Sequence, residues 1–238
     1  MFEGKIKKEL IKLKGQHVLF VDGGNKFQIE SVASSFLLFR PDGTSQILTE
    51  YKIKDKLFVP FNADDPLLAR IPSSTDAVSY ETEAELLGAI RAFIRTWIDL
   101  EERYELLLAF YVLFTYVYDA FEEVPYLHIL ADLGSGKTRL GVKVLGSICF
   151  RSYSTIGVAS IPALFRLISM VRGTLILDEA DMKKSEKTEE IVQMLNSGYI
   201  SDLPVIRAEM TGKDKRFSIV AYDVFGPKIL LSRNSFKD

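Results

Sequence analysis

The chain has 238 residues, of which 47% are hydrophobic and 26% are charged, and its formal net charge is −2. These proportions are typical of a globular protein, and a charge so close to zero excludes a surface that is basic throughout, so any contact with nucleic acid must come from a local patch. A single cysteine and two histidines exclude an internal disulfide and a zinc site built from several such residues.

Two stretches bear on the location of the protein. The first residues, Lys5–Leu10, lack the apolar core of a signal peptide. The most apolar stretch, Leu106–Tyr118, is shorter than the roughly 20 residues that a membrane-spanning helix needs, which favours a buried helix. We therefore expect a cytoplasmic protein without a membrane partner.

The first part of the chain predicts a small β-rich module over residues 1–61. Residues 1–14 favour a short helix with lysines on its outer face. After it, the turn signals Asp22–Asn25 and Pro41–Thr44 separate short runs of β-prone residues. The sequence leaves open whether this module binds nucleic acid, a partner protein or nothing.

A linker and a helical segment come next. Residues 62–80 contain prolines next to serine and threonine, which predicts a linker. In the helical segment, residues 81–124, Thr82 and Glu85 form a capping box. Apolar side chains from Leu86 to Ile98 recur at helical spacing, which places the aromatic residues among them in the core. A second helix is expected from about residue 101 to 121, and both helices are expected to pack against the final domain.

The most informative segment of the final domain, residues 125–238, is Ala131–Thr138. It lies between an apolar run that predicts a strand and a run that predicts an amphipathic helix, which is the context of a phosphate-binding loop, or P-loop. Alanine stands where a first glycine is usual, but two later glycines can turn backbone N–H groups toward a phosphate chain. The predicted nucleotide-binding residues are Ala131, Asp132, Leu133, Gly134, Ser135, Gly136, Lys137, Thr138 and Arg139. Lys137 is expected to reach the β- and γ-phosphates and to take part in catalysis, and the Thr138 hydroxyl to hold Mg²⁺.

A second motif lies about forty residues further on. Gly173–Glu179 is an apolar run that ends in two carboxylates, which predicts a buried parallel strand with both acids at its carboxyl end. Asp178 is predicted to bind Mg²⁺, usually through water, and Glu179 to act as the general base for the attacking water. Together the two motifs predict an ATPase that uses ATP and Mg²⁺.

The remaining elements complete a fold prediction. They are a strand over Arg151–Ile156, a helix that begins near Ser160, a helix over Glu189–Ser197, a hairpin formed by Pro204–Glu209 and Arg216–Val224, and a strand over Lys228–Ser232. This order predicts an α/β P-loop NTPase. Its core is a parallel sheet with a β-hairpin insert, preceded by helices and a small β module.

The order of these elements resembles AAA+-type ATPases of the helicase clades that carry a β-hairpin before the sensor strand, such as viral superfamily three helicases and MCM proteins. Six segments resemble more closely a family of primase-helicase-type ATPases found in phages, plasmids and other mobile elements. The segments are Pro125–Ile129, Gly134–Arg139, Ile161–Arg166, Thr174–Asp181, Leu195–Tyr199 and Phe225–Lys228. The resemblance covers about residues 80 to 238.

The resemblance implies roles for further residues. Lys137, Thr138, Asp178 and Glu179 match the nucleotide-hydrolysing residues of the family. The polar positions 232–234 fall where these ATPases keep a sensor of the γ-phosphate, and Asn234 is the expected sensor residue. The hairpin tip matches the element that touches DNA in related ring helicases, and its cations suit sequence-independent phosphate contacts. The implied DNA-binding residues are Lys213, Lys215 and Arg216, for which an exposed turn with solvated charges is the alternative.

The resemblance also implies partners and one departure. Single-stranded DNA is the implied nucleic acid, and a homo-oligomeric ring is the implied assembly of the full-length form. Family members continue past the sensor strand to an arginine finger and a helical lid, whereas this sequence ends at Asp238. An arginine finger supplied in trans is worth about 10³ to 10⁵ in rate, so weak or absent hydrolysis with nucleotide binding retained is expected of this chain alone.

Two other functions compete with that of a helicase or replication ATPase. A non-motor switch or assembly ATPase would share the P-loop but bind a protein partner. A small-molecule kinase is disfavoured, because no arginine-rich phosphate lid is recognisable and the paired acids suit water activation. The letters of Asp178–Asp181 also occur in DEAD-box helicases, but those need a second RecA-like domain for which this sequence has no room.

Overall fold

The computed structural model describes residues 10–12, 18–22, 25–32, 35–39, 44–53, 56–59, 71, 80–132, 134–156, 160–178, 186–211 and 216–233. The chain divides into two compact units, Met1–Val78 and Ser79–Asp238. Within the described ranges, no helix combines the length and the apolar character that crossing a membrane requires.

The described residues of the first unit include short strands in two sheets. The strands are β1 (Leu10–Lys12), β2 (Val18–Asp22), β3 (Asn25–Val32), β4 (Ser35–Phe39), β5 (Ser45–Leu48), β6 (Tyr51–Ile53) and β7 (Lys56–Val59). Strands β2, β3, β4 and β5 form an antiparallel sheet in that order, and β1, β7 and β6 form a second sheet in which β1 and β7 are parallel. The prediction of a helix over residues 1–14 is wrong at Leu10–Lys12, because these residues form a strand that pairs with β7.

The second unit begins with two helices, α1 (Glu83–Trp97) and α2 (Glu102–Thr115). The Thr82 hydroxyl accepts the Glu85 N–H at 3.2 Å, as the capping pattern predicts. The buried carboxylate of Glu105 on α2 accepts hydrogen bonds from Arg91 and Arg95 on α1. Burial alone would raise the pKa of Glu105, but the two arginines outweigh it and lower the pKa. The second helix ends earlier than expected and is followed by a 3₁₀ turn, Tyr118–Ala120.

The core of this unit is a parallel sheet. The strands of the unit are β8 (Leu127–Leu130), β9 (Tyr153–Ile156), β10 (Leu175–Asp178), β11 (Val205–Thr211), β12 (Arg216–Tyr222) and β13 (Lys228–Ser232). Four of them form the sheet in the order β8-β13-β10-β9, and every neighbouring pair is parallel. The central strand β13 is buried at all five positions, as expected of a strand covered on both faces. The unit is therefore an α/β fold.

Helical segments connect and cover the strands. Beyond α2 they are a π-helical segment (Arg139–Leu145), which continues as one α-helical turn (Gly146–Ile148), α3 (Ile161–Val171) and α4 (Glu186–Gly198). One apolar cluster joins α1, α2, the π-helical segment and the sheet, and it includes Ile94, Val112, Val144 and Leu231. The end of α1 is thereby fixed against the segment that follows β8.

Strands β11 and β12 form the expected hairpin, whose two faces differ. On one face Arg207 pairs with Glu190 at 2.9 Å, and Glu209 pairs with Arg166 at 2.5 Å. The opposite face is apolar and exposed, and its large side chains are Ile206, Met210, Phe217 and Ile219. The hairpin is therefore anchored to the unit by charged pairs and presents hydrophobic residues to its surroundings.

A buried lysine lies at the amino end of β13. The Lys228 ammonium donates to the carbonyl oxygens of Val224 at 2.8 Å, Gly226 at 3.0 Å and Gly198 at 3.2 Å, and it lies 4.8 Å from the Tyr126 ring centroid. Burial lowers the pKa of Lys228 to about 7. This side chain ties the end of α4 and the exit from the hairpin to the sheet, at the edge opposite the glycine-rich loop.

Candidate functional site

The carboxyl ends of the parallel strands bring the two sequence motifs to one edge of the sheet. Leu130, which precedes the loop, pairs with Ser232 at the end of β13. Asp178 ends β10 and pairs with Ile156 on β9. Because β13 lies between β8 and β10 and neighbouring strands are about 4.8 Å apart, the two motif-bearing strands are about 10 Å apart. Ligands of open α/β sheets bind at this edge.

The loop after β8 has the backbone that its glycines predict. Gly134 and Gly136 have φ angles of 78° and 90°, in the left-handed region where a side chain would be strained. The Ser135 hydroxyl donates to the Asp132 carbonyl oxygen at 2.7 Å, which closes a turn inside the loop. The N–H of Ala131 donates to the Ser232 carbonyl oxygen at 3.2 Å, so the start of the loop is attached to β13.

The helical segment after the loop is pressed against the sheet. The Leu140 N–H donates to the Gly136 carbonyl oxygen at 2.8 Å, which starts the helical backbone directly after the last loop glycine. A Cβ atom added at Gly141 would lie 2.6 Å from both terminal carbons of Leu231 on β13. A side chain at position 141 would have to displace Leu231, so glycine lets the helical segment lie close to the sheet.

Lys137 is the unusual residue of the site. Its side chain is 9% exposed, and its ammonium nitrogen is buried with no hydrogen-bond partner among the described residues. An unpaired buried ammonium is costly and needs an explanation, such as an anion that it is built to bind. Lys137 lines a pocket of about 480 Å³. The other residues that line this pocket are Trp97, Ile98, Asp132, Gly134, Ser135, Gly136, Thr138 and Arg139.

Trp97 and Ile98 are site residues that the sequence interpretation missed. Their helical spacing predicted a place in the core, but the Trp97 side chain is 53% exposed and both residues line the pocket from the end of α1. Ile94, in contrast, is fully buried. Trp97 lies at the margin of the apolar stripe, where spacing cannot distinguish a core position from a pocket wall. That correction comes from the position of α1 beside the loop.

Several predicted site residues lie outside the described residues. They are Leu133, Glu179, Lys213, Lys215 and Asn234. Arg216 begins β12 and pairs with Thr211 across the hairpin. Ser232, the first of the three polar positions 232–234, is the last residue of β13; it is buried, and its hydroxyl lies 2.6 Å from His128 Nε2. Among the described residues, no group of three or more acidic, histidine or cysteine side chains is arranged to hold a metal ion.

No protein-family model matches the chain, and no curated protein matches it. Among solved structures, the chain is similar to an apo form of the NrS-1 C-terminal region, with a TM-score of 0.39, 12% identity, and coverage of 86% of this chain and 54% of that one. A second structure of that region, 305–718, gives a TM-score of 0.32, 10% identity, and coverage of 87% and 53%. The chain thus spans about half the length of these structures, and TM-scores of this size do not establish a shared fold.

Proposed function

We propose that the second unit binds ATP with Mg²⁺ in the pocket beside Lys137 and is the ATP-hydrolysing module of a DNA helicase or replication protein. The observation on which the nucleotide part depends is the buried ammonium of Lys137, which has no hydrogen-bond partner in the described part of the chain. It lies beside two glycines of positive φ, at the carboxyl edge of a parallel sheet. A buried cation, glycines that can turn backbone N–H groups toward a ligand, and the carboxyl edge of a parallel sheet are each typical of sites that bind a phosphate chain.

The residues have distinct proposed roles. Lys137 would bind the β- and γ-phosphates, and the Thr138 hydroxyl would hold Mg²⁺, which supplies charge neutralisation to the phosphates. Asp178, about two strand spacings away, would reach the ion through water. Glu179 would orient and deprotonate the attacking water, and Asn234 would sense the γ-phosphate.

The helicase part of the proposal depends on the resemblance of the sequence motifs. In this proposal, Lys213, Lys215 and Arg216 contact the phosphates of single-stranded DNA. The full-length protein forms a homo-oligomeric ring that acts in the cytoplasm. Phosphate contacts of this kind are independent of sequence and weaken with salt. Neutralising these three residues together should therefore remove DNA binding and leave ATP binding unchanged.

A second candidate function is a non-motor switch that binds a protein partner. The observation that favours it is the exposed apolar face of the hairpin, because such a face suits a protein contact better than a phosphate backbone. In that case the charge-neutralised hairpin would keep its function, and Phe217→Ser with Ile219→Ser would lose partner binding. If the wild-type chain binds DNA and these two substitutions leave that binding intact, the motor function is favoured.

The first experiment measures ATP binding and hydrolysis, with and without single-stranded DNA, in the wild type and in Lys137→Ala. Lys143→Ala is the matched control, since Lys143 is exposed on the same helical segment. We expect the first variant to lose ATP binding and the control to keep it. Because the Lys137 ammonium has no partner in the described part of the chain, its removal should not destabilise the fold, so lost binding would mean lost ligand contact. Equal ATP affinity in all three proteins would overturn the proposed function.

A further inference from the structure

The pocket beside the glycine-rich loop has two chemically different walls. One wall is the loop and the start of the helical segment, with Lys137 as its buried cation. The other wall is apolar and is formed by Trp97 and Ile98 at the end of α1. Contact with an apolar wall does not stabilise a bound phosphate group. A ligand that fits both walls has an anionic end and a flat apolar end.

The apolar wall is held in a fixed position. The Ile98 N–H donates to the Ile94 carbonyl oxygen at 3.2 Å, which ends α1 in a defined geometry. The nearest atom to a Cβ built on Gly136 is Ile98 Cδ1 at 3.8 Å, so the end of α1 packs on the phosphate-facing loop. In the last turn of α1, Arg95 is attached to the buried Glu105 of α2. The apolar wall is thus built on a helix that is anchored at its last turn.

The indole of Trp97 is only partly covered in this arrangement. Its ring contacts only Phe93 among the described aromatic rings, at a centroid distance of 6.4 Å and a tilt of 58°. About half of the side chain stays exposed. A tryptophan that lines a pocket on a rigid support, with about half of its surface exposed, is suited to stack on a planar ligand. The pocket volume of about 480 Å³ is within the usual range for small-molecule sites.

We infer that Trp97 stacks on the base of the nucleotide whose phosphates Lys137 binds. This inference rests on the proposed function and adds the residue that recognises the nucleoside end. Stacking uses the ring faces that all bases share, so it supplies affinity without reading base identity. The site is therefore expected to accept nucleoside triphosphates broadly, with ATP and GTP bound at comparable affinity. Inorganic tripolyphosphate, which lacks a base, should bind more weakly.

The chain itself supplies the probe. Trp97 is the single tryptophan, so the indole fluorescence of the wild-type chain reports on this residue alone. Titration with ATP in the presence of Mg²⁺ should change the emission, and titration with tripolyphosphate to saturation should change it much less. Calorimetry then measures both affinities in Trp97→Ala and in the conservative variant Trp97→Phe. Phe110→Ala is the matched control, because Phe110 has the same exposed fraction on α2 and does not line the pocket.

The expected results distinguish the contribution of the base to binding from that of the phosphates. Trp97→Ala should weaken ATP binding by about 5- to 150-fold, the range of one base–aromatic stack, and leave tripolyphosphate binding unchanged. Trp97→Phe should retain most of the ATP affinity, and Phe110→Ala all of it. Equal weakening of ATP and tripolyphosphate by Trp97→Ala would show a structural role and overturn the inference.

The inference and the proposed function fail differently. If ATP and tripolyphosphate bind the wild type equally, with binding that is lost in Lys137→Ala, then stacking by Trp97 is wrong and the phosphate site stands. If neither ligand shows binding that depends on Lys137, both the proposed function and the inference are wrong.

Discussion

Raising the pH from 7 to 9 should stabilise the second unit, because Lys228 is buried as the first residue of β13. Burial lowers the pKa of Lys228 to about 7, while the nearby charge of Asp223 acts in the opposite direction. In the unfolded chain the pKa returns to its ordinary value of 10.5. Between these values the unfolded chain binds more protons than the folded one, so the free energy of unfolding rises with pH in this window and falls as the pH drops toward 7.

The magnitude follows from the two pKa values of Lys228. Where the lysine is protonated in the unfolded chain and neutral in the folded one, the free energy of unfolding rises by about 1.4 kcal/mol per pH unit. At pH 7 the folded lysine is half protonated, and by pH 9 it is almost entirely neutral, so the gain between these values is about 2 kcal/mol. Burial also raises the pKa of Tyr126 and of the Cys149 thiol, whose effect on stability has the opposite sign and develops as the pH passes their ordinary values of 10.0 and 9.0. Between pH 7 and 9 the lysine therefore makes the larger contribution, because the opposing effect of the thiol only begins near the upper end of this interval.

The assay is urea unfolding at pH 7, 8 and 9, followed by the fluorescence of Trp97, which lies in the second unit. Lys228→Met removes the titrating group at nearly constant length and should flatten the pH dependence. Lys143→Met, at an exposed lysine, should retain the rise. If the wild type and Lys228→Met change by the same amount between pH 7 and 9, the buried lysine is not the source and the reasoning is refuted.

Three substitutions test the packing around the candidate site. Gly141→Ala should destabilise the unit by about 1 to 3 kcal/mol, since its Cβ would meet Leu231, and should weaken ATP binding by displacing the loop; unchanged binding and stability would contradict the close approach. Thr115→Val should cost about 1 to 3 kcal/mol in urea unfolding, because the Thr115 hydroxyl accepts the buried Phe150 N–H at 3.0 Å, and Thr115→Ser should restore it. Phe165→Ala should cost about 3 to 5 kcal/mol, because this fully buried ring packs against the hairpin. A loss below 1 kcal/mol in thermal or urea unfolding would mean that the hairpin packs elsewhere.

Local sequence signals determined much of the second unit. The capping pair Thr82 and Glu85 marked the start of α1, and the glycines of the loop marked the backbone that Gly134 and Gly136 adopt. The apolar run before Asp178 marked a buried strand with an acid at its end. These features depend on neighbours within a few residues, so the sequence displays them directly.

The tertiary structure decided which distant residues meet. The pairing of Ile129 with Leu231 places β13 between the two motif-bearing strands, and parallel partners that far apart in sequence leave no local signal. Tertiary packing buries the Lys137 ammonium without a hydrogen-bond partner among the described residues. Packing also places Trp97, which the sequence predicts in the core, in the wall of the pocket. Burial and contact are properties of the surroundings in space, whereas spacing along the chain shows only which residues share a face.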